Sequence, residues 1–136
     1  MKYLLDTNIL SEPLRPSPHP KILMALQSHG EDCATASIVW HELYYGCERL
    51  EAGRKKQHIQ DYLQNVIFKT LPILPYCPQA ARWHAQQRAR LEALGLKPPF
   101  ADGQIAAIAK VNQLVLVTRN IADYAHFELE MIDWGI

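Results

Sequence analysis

The chain opens on Tyr3-Leu4-Leu5-Asp6-Thr7-Asn8, in which three consecutive apolar residues lead into a carboxylate and two small polar side chains. Uninterrupted apolar residues are typical of a parallel strand that is covered on both faces. Asp6 would then lie at the carboxyl end of that strand, where open α/β sheets bind their ligands. The stretch therefore predicts an α/β fold with a polar site at one edge of the sheet.

Size and composition are those of one soluble globular domain, with 136 residues, 49% hydrophobic and 21% charged. Lys plus Arg equals Asp plus Glu at 14 each, so net charge gives no indication of nucleic-acid binding. Cys33, Cys47 and Cys77 are widely spaced, which argues against a disulfide framework and against a thiolate zinc site. No stretch approaches the roughly 20 apolar residues of a membrane span. We expect a cytoplasmic protein with no membrane contact.

The rest of the chain alternates between segments typical of helices and of strands. Further strands are predicted at residues 33–36, 71–74, 114–117 and 129–132, with the second at a sheet edge because Pro72 cannot donate to a ladder. Helices are predicted at residues 21–28, 38–50, 54–68, 78–94 and 101–110, with a short turn at 121–126. Because parallel neighbours need crossover connections, this order predicts a three-layer α/β/α sandwich with a short parallel sheet.

Two local features carry more specific predictions. Ser37 is the expected N-cap of the helix that follows the second strand. Four prolines from Pro13 to Pro20 exclude regular helix and predict a flexible surface loop beside Asp6, placed where it can cover a site.

Polar side chains from separate elements are predicted to meet at the carboxyl edge of the sheet. Asp6 and Asn120 follow strands, whereas Glu42 and Asp102 lie in early turns of helices that can point at that edge. Carboxylates this close raise one another's pKa unless a cation neutralises them. Oxygen ligands suit Mg²⁺ or Mn²⁺, which can activate water and neutralise charge on a phosphodiester. The pattern predicts nuclease chemistry.

Each of these residues also has a simpler structural interpretation. Asp6 can cap the next helix, Glu42 can be a solvated helix residue, and Asp102 gains from the helix dipole alone. His41 is expected at the surface and away from the target of Glu42, because successive helical residues point about 100° apart.

The order and spacing of four segments resemble those of the PIN-domain ribonucleases, and more narrowly the VapC-like toxins of bacterial toxin-antitoxin pairs. The segments are residues 3–8, 41–46, 102–107 and 117–124. The likeness runs over almost the whole chain. It implies a single PIN-like nuclease domain over residues 1–136.

The resemblance implies a Mg²⁺-dependent endoribonuclease, with Mn²⁺ as an alternative cofactor. Asp6, Glu42 and Asp102 would be the metal-binding acids. Their hydrogen-bonding support would come from Thr7, Asn8 and Thr118.

The family's fourth acidic position falls near Asn120, whose amide brings no charge. Asp123 is a further candidate for that position, and whether one or two ions bind stays open. The resemblance also implies an RNA substrate, a homodimer, and a cognate antitoxin whose tail enters the acidic groove.

Other functions are compatible with a first strand that ends in Asp. A phosphatase of the haloacid-dehalogenase type needs a second Asp two residues later, where this chain has Asn8. A phospho-acceptor receiver domain needs an adjacent acidic pair that is absent. A catalytically inactive PIN-like binding module, with the metal site kept and turnover lost, is the non-enzymatic alternative.

Overall fold

A computed structural model describes the whole chain, residues 1–136. The strands are β1 (Tyr3–Leu5), β2 (Cys33–Ala36), β3 (Ile73–Leu74), β4 (Val115–Val117) and β5 (Met131–Ile132). The helices are α1 (Thr7–Leu10), α2 (Pro20–His29), α3 (Ser37–Glu48), α4 (Arg54–Tyr62), α5 (Phe68–Thr70), α6 (Pro78–Ala93), α7 (Phe100–Val111) and α8 (Ile121–Tyr124). A π-helical segment, Leu63–Ile67, joins α4 to α5, and 3₁₀ turns occupy Glu12–Leu14 and Gly30–Asp32.

The five strands form one parallel sheet in the order β3-β2-β1-β4-β5. Chain connections run from the centre to one edge and then to the other, so right-handed crossovers place helices on both faces. The predicted α/β/α sandwich with a short parallel sheet is therefore confirmed. Pro72 lies beside the edge strand β3, where its carbonyl accepts from the Thr35 amide at 3.0 Å.

Strand register determines which residues meet at the carboxyl edge. Leu5 pairs with Thr35 on one side and with Val117 on the other. The next residues along β1 and β4 are Asp6 and Thr118, so these two side chains emerge from neighbouring strands at the same level. The backbone amide of Asp6 extends the pairing, donating to the Val117 carbonyl at 3.0 Å.

The core is one cluster of 26 buried hydrophobic residues that includes both sheet faces. Helix α7 is buried almost all round over its middle turns, from Ile105 to Ala109, as expected for a helix held between other elements. Its alanines let it approach α6 and the sheet closely, which brings Asp102, in its first turn, to the carboxyl edge.

The proline segment differs from the predicted flexible loop because a buried carboxylate anchors it. Glu12 begins a 3₁₀ turn, and its Oε1 accepts from the His19 amide at 2.8 Å while Arg15 donates to Oε2 at 3.3 Å. The hydrogen bond from His19, followed by Arg15, lowers the pKa of Glu12. The prolines shape the backbone, but Glu12 ties both ends of the segment together.

Ser37 is the first residue of α3 and does not cap it, so that prediction is wrong. The N-cap is Ala36, whose backbone is extended at φ −98° and ψ 149° and whose side chain cannot accept a hydrogen bond. Strand β2 runs into the helix with no intervening loop, which leaves no position for a polar cap. The chain thus gains a direct connection from β2 to the helix that carries Glu42.

No helix combines the length and the apolar character that crossing a bilayer requires. The three cysteines are free thiols, with Cys33 and Cys47 buried in the core.

Packing of α7 against α6 depends on a glycine next to Asp102. A Cβ built on Gly103 would lie 2.1 Å from Nε2 of His84. His84 is buried and cannot move aside easily, because the Tyr76 hydroxyl contacts its Nδ1 at 2.8 Å and Phe100 packs on its ring at 4.8 Å between centroids. We therefore expect Gly103→Ala to lower the free energy of unfolding by roughly 1 to 3 kcal/mol, the usual cost of overpacking.

Gly46, inside α3, provides the matched control, because a Cβ there would meet nothing within 4 Å. Gly46→Ala should raise the free energy of unfolding by roughly 0.5 to 1 kcal/mol, since alanine loses less entropy than glycine in a helix. Urea denaturation of both variants measures the difference. Equal stabilities for the two variants would show that the contact between α6 and α7 tolerates a side chain at position 103.

Candidate active site

Asp6 lies at the centre of the polar cluster and is 4% exposed. Its Oδ1 accepts from the Thr7 amide at 2.8 Å, and its Oδ2 accepts from Thr118 Oγ1 at 2.7 Å and from the Tyr124 hydroxyl at 3.2 Å. Burial raises the pKa of Asp6, and the three donors partly offset that rise. Asp6 is also the N-cap of α1. It therefore has the helix-capping role that its sequence position allowed, in addition to its place in the cluster.

Glu42 is held to the same cluster through Thr7. Thr7 Oγ1 donates to Glu42 Oε2 at 2.6 Å, which joins the start of α1 to the second turn of α3. One residue therefore contacts two of the predicted acids, with its amide on Asp6 and its hydroxyl on Glu42. Glu42 is half-buried and not simply a solvated residue of the helix surface.

The charges of the other acids affect the pKa of Asp102. Burial, followed by the charges of Asp6, Asp123 and Glu42, raises the pKa of Asp102 from 3.8 to about 6. Ion pairs within 4.0 Å elsewhere in the protein engage other carboxylates, namely those of Glu12, Glu92, Glu128 and Asp133. The site therefore gathers four carboxylates that have no cationic side chain to balance them.

The segment after β4 supports Asp6 through Thr118, as the resemblance implied. Thr118 Oγ1 accepts from Asn8 Nδ2 at 3.4 Å and from the Asn120 amide at 3.0 Å while it donates to Asp6. The Arg119 amide donates in turn to Asn8 Oδ1 at 3.0 Å. Asn8 thus joins the end of β1 to the end of β4 and has both ends of its amide engaged.

Asn120 and Asp123 differ in what they bring to the cluster. The side chain of Asn120 is exposed and makes no capping hydrogen bond to α8, and only its backbone contacts Thr118. The charge of Asp123, in contrast, raises the pKa of both Asp6 and Asp102. Of the two candidates for a fourth position, Asp123 is the one that acts electrostatically on the other acids.

Sequence reasoning gave no role to Tyr124, although it lies within the last motif segment. Tyr124 is 2% exposed, and its hydroxyl contacts Asp6. Burial and the charges of Asp6 and Asp102 raise the pKa of the Tyr124 phenol well above its usual range. The available sequence signal was a tyrosine, with its polar tip, directly after Asp123.

His41 lies outside the cluster, as predicted. It is exposed, and its ring is nearly parallel to that of Tyr45, with centroids 6.3 Å apart and an interplanar angle of 6°.

The donor set fits a hydrated divalent cation better than a fully protein-enclosed ion. All four acidic side chains offer oxygen ligands, which hard cations such as Mg²⁺ and Mn²⁺ prefer. No three Asp, Glu, His or Cys side chains converge closely enough to enclose an ion by themselves. Mg²⁺ commonly keeps several waters and binds through one or two carboxylates, so an incomplete protein shell suits it.

Comparison with known proteins identifies the family of this chain. The PIN domain model matches residues 3–126. Toxin FitB of Neisseria gonorrhoeae is 36% identical over 124 residues, which are 89% of each protein. Ribonuclease VapC2 of Haemophilus influenzae is 34% identical over 125 residues, which are 91% of this chain and 90% of that protein.

Solved structures agree over the same length. FitAB bound to an IR36 DNA fragment contains a chain with a TM-score of 0.91 at 31% identity, covering 98% of this chain and 96% of that one. A toxin-antitoxin complex from Klebsiella pneumoniae gives a TM-score of 0.74 at 25% identity and covers 98% of each chain. Together with the carboxylate cluster, these matches show that the chain belongs to the PIN domain family, within its VapC-like branch.

Proposed function

We propose that this protein is a metal-dependent endoribonuclease and the toxin component of a toxin-antitoxin pair, which hydrolyses RNA phosphodiester bonds with an activated water. The observation that carries this proposal is the group of four uncompensated carboxylates at the sheet edge, with the pKa of Asp102 raised to about 6. Relatives named as a toxin and as a ribonuclease support the same function.

The metal-binding acids in this proposal are Asp6, Glu42 and Asp102, which together would hold a hydrated ion because no three side chains of the site enclose one directly. PIN-domain ribonucleases generally depend on a divalent metal, and we propose Mg²⁺, with Mn²⁺ as a substitute. Such an ion supplies positive charge that activates a water and stabilises charge on the phosphodiester. Thr7 and Thr118 hold the carboxylates in place through their hydrogen bonds to Asp6 and Glu42.

Asp123 supplies the fourth negative charge of the proposed site. Its charge acts on Asp6 and Asp102, whereas Asn120, which is exposed like Asp123, offers only a neutral amide. We retain Asn120 as a weaker catalytic contributor, in contact with substrate or water and not with the ion.

The proposed partners are an RNA substrate, a cognate antitoxin and a second copy of this chain. A similar solved structure is a toxin-antitoxin complex, which supports the antitoxin. We propose that the protein acts in the cytoplasm, where its three free thiols remain reduced.

Asn8 provides an observation against the phosphatase alternative. A general acid at this position must have a proton to give and freedom to reach the leaving group. The amide of Asn8 instead accepts from Arg119 and donates to Thr118, so it acts as a structural brace. An inactive binding module remains the competing function, and RNA cleavage assays distinguish it.

The first prediction concerns the three proposed ligands. Asp6→Asn, Glu42→Gln and Asp102→Asn each replace a charged oxygen ligand with a near-isosteric neutral amide. We expect each to abolish cleavage of structured RNA in Mg²⁺ while circular dichroism stays unchanged. His41→Ala, next to Glu42 but with its ring exposed and beside that of Tyr45, serves as the control and should stay within a few-fold of the wild type. Wild-type turnover in any of the three would remove that residue from the ligand set.

The second prediction separates Asp123 from Asn120. Asp123→Asn removes a charge that acts on the site, so it should reduce both cleavage and Mg²⁺ affinity strongly. Asn120→Ala removes a neutral, exposed amide and should reduce cleavage less, with little change in Mg²⁺ affinity measured by calorimetry. The reverse order of effects would make Asn120 the primary ligand.

The third prediction uses the raised pKa of Asp102. The native protein binds this proton more tightly than the unfolded chain, so the resulting stability is present below about pH 4 and is lost as pH rises through about 6. Asp102→Asn cannot undergo this loss. In chelator at pH 7 it should melt at or above the wild type, provided that the lost helix-dipole interaction, roughly 0.3 to 1 kcal/mol, does not dominate.

Mg²⁺ provides the second half of that experiment. Mg²⁺ should raise the melting temperature of the wild type much more than that of Asp102→Asn. A ligand stabilises the native state in proportion to how tightly it binds that state, and the variant has lost a charged ligand. Equal shifts for both proteins would show that Asp102 is not a ligand. A clear drop of the variant's melting temperature in chelator would instead assign Asp102 to helix stabilisation.

A further inference from the structure

We propose that Tyr124 is a positioning residue whose hydroxyl holds the carboxylate of Asp6 in a geometry ready for a divalent cation. The inference rests on the proposed function, since it assumes that Asp6 binds the ion. Nothing in the resemblance to PIN-domain ribonucleases assigned a role to this side chain.

The ring of Tyr124 is fixed by the core, and its hydroxyl ends in the acidic cluster. Tyr124 is the last residue of α8 and is 2% exposed, with Phe127 packed near its ring at 6.4 Å between centroids. The hydroxyl donates to Asp6 Oδ2 at 3.2 Å. An aromatic ring with few rotatable bonds keeps that oxygen in place with little loss of side-chain entropy.

Tyr124 shares Asp6 Oδ2 with a second donor. Thr118 Oγ1 donates to that oxygen at 2.7 Å, and the Thr7 amide donates to Oδ1 at 2.8 Å. The Tyr124 hydroxyl therefore restrains the orientation of Asp6 from the side of α8.

A neutral donor suits this position better than a cationic one. Two like charges in a buried site repel one another, and the repulsion favours rotation of one carboxylate away from the other. A Lys or Arg would neutralise the pair and compete with an incoming cation. The hydroxyl of Tyr124 is neutral and donates to Asp6, so it orients that acid and leaves its charge for the ion.

Tyr124→Phe tests the proposal because it removes the hydroxyl and keeps the ring that fills the core. Calorimetric titration with Mg²⁺ and with Mn²⁺, on the isolated protein without RNA, should show affinity weakened by about 10- to 100-fold, as is usual when a group that orients metal ligands is lost. Tyr62→Phe is the matched control. It also removes a hydroxyl hydrogen bond, from Tyr62 to the Leu10 carbonyl at 2.7 Å, but leaves the acidic cluster intact and should bind both ions like the wild type.

A kinetic measurement distinguishes positioning from general support of the fold. If Tyr124 acts through the metal ligands, saturating Mg²⁺ should largely restore RNA cleavage by Tyr124→Phe, because the defect lies in metal affinity. A purely structural role predicts lost cleavage that excess Mg²⁺ does not restore, together with a lower melting temperature in chelator. That result would overturn the inference even if the variant folds poorly.

Two further outcomes separate this inference from the proposed function. Wild-type metal affinity in Tyr124→Phe, or an equal loss in Tyr62→Phe, overturns the positioning role and leaves the nuclease proposal standing. A wild type that binds Mg²⁺ but cleaves no RNA overturns the nuclease proposal, while weakened binding by Tyr124→Phe would still support the positioning role. No metal binding by the wild type overturns both.

Discussion

The burial of Asp6 is the constraint on which the rest of the site depends. A carboxylate removed from water is costly unless hydrogen bonds replace its hydration. Asp6 obtains those bonds from the start of α1, from the residue after β4 and from the end of α8. Those three segments must therefore be placed together before the carboxylate can be buried. The stability of the sheet edge and the geometry of the acidic cluster thus depend on the same contacts.

Electrostatics gives this arrangement its functional character. A fold selected for stability alone would pair these acids with Lys or Arg or move them to the surface. Here neutral donors, Thr7, Thr118 and Tyr124, orient carboxylates whose charges raise one another's pKa. Repulsion between these carboxylates destabilises the native state, and burial of the large apolar core offsets that loss of stability. This balance is expected where a cation completes the structure during function.

Sequence patterns located most helices and strands because the patterns reflect burial, which the sheet imposes along the whole chain. The exceptions have a common cause. The proline segment was predicted to be flexible because its anchor, Glu12, looks like an ordinary surface acid until the fold buries it. Ser37 was predicted to cap α3 because local preference favours serine there, but the direct passage from β2 into α3 put Ala36 at the cap. Tertiary packing overrode local preference in both places.

The sequence by itself determined the α/β class, the parallel sheet and the meeting of Asp6 with the segment after β4, since the carboxyl ends of parallel strands lie at the same edge of a sheet. Motif order was also enough to indicate the family. Only the tertiary structure decided which side chains surround Asp6. Asn120, Asp123 and Tyr124 lie within one short turn, and the packing of α8 against the core brings the hydroxyl of Tyr124 to Asp6, whereas Asn120 and Asp123 are exposed. Side-chain direction on a helix of four residues follows from its neighbours and not from its own sequence.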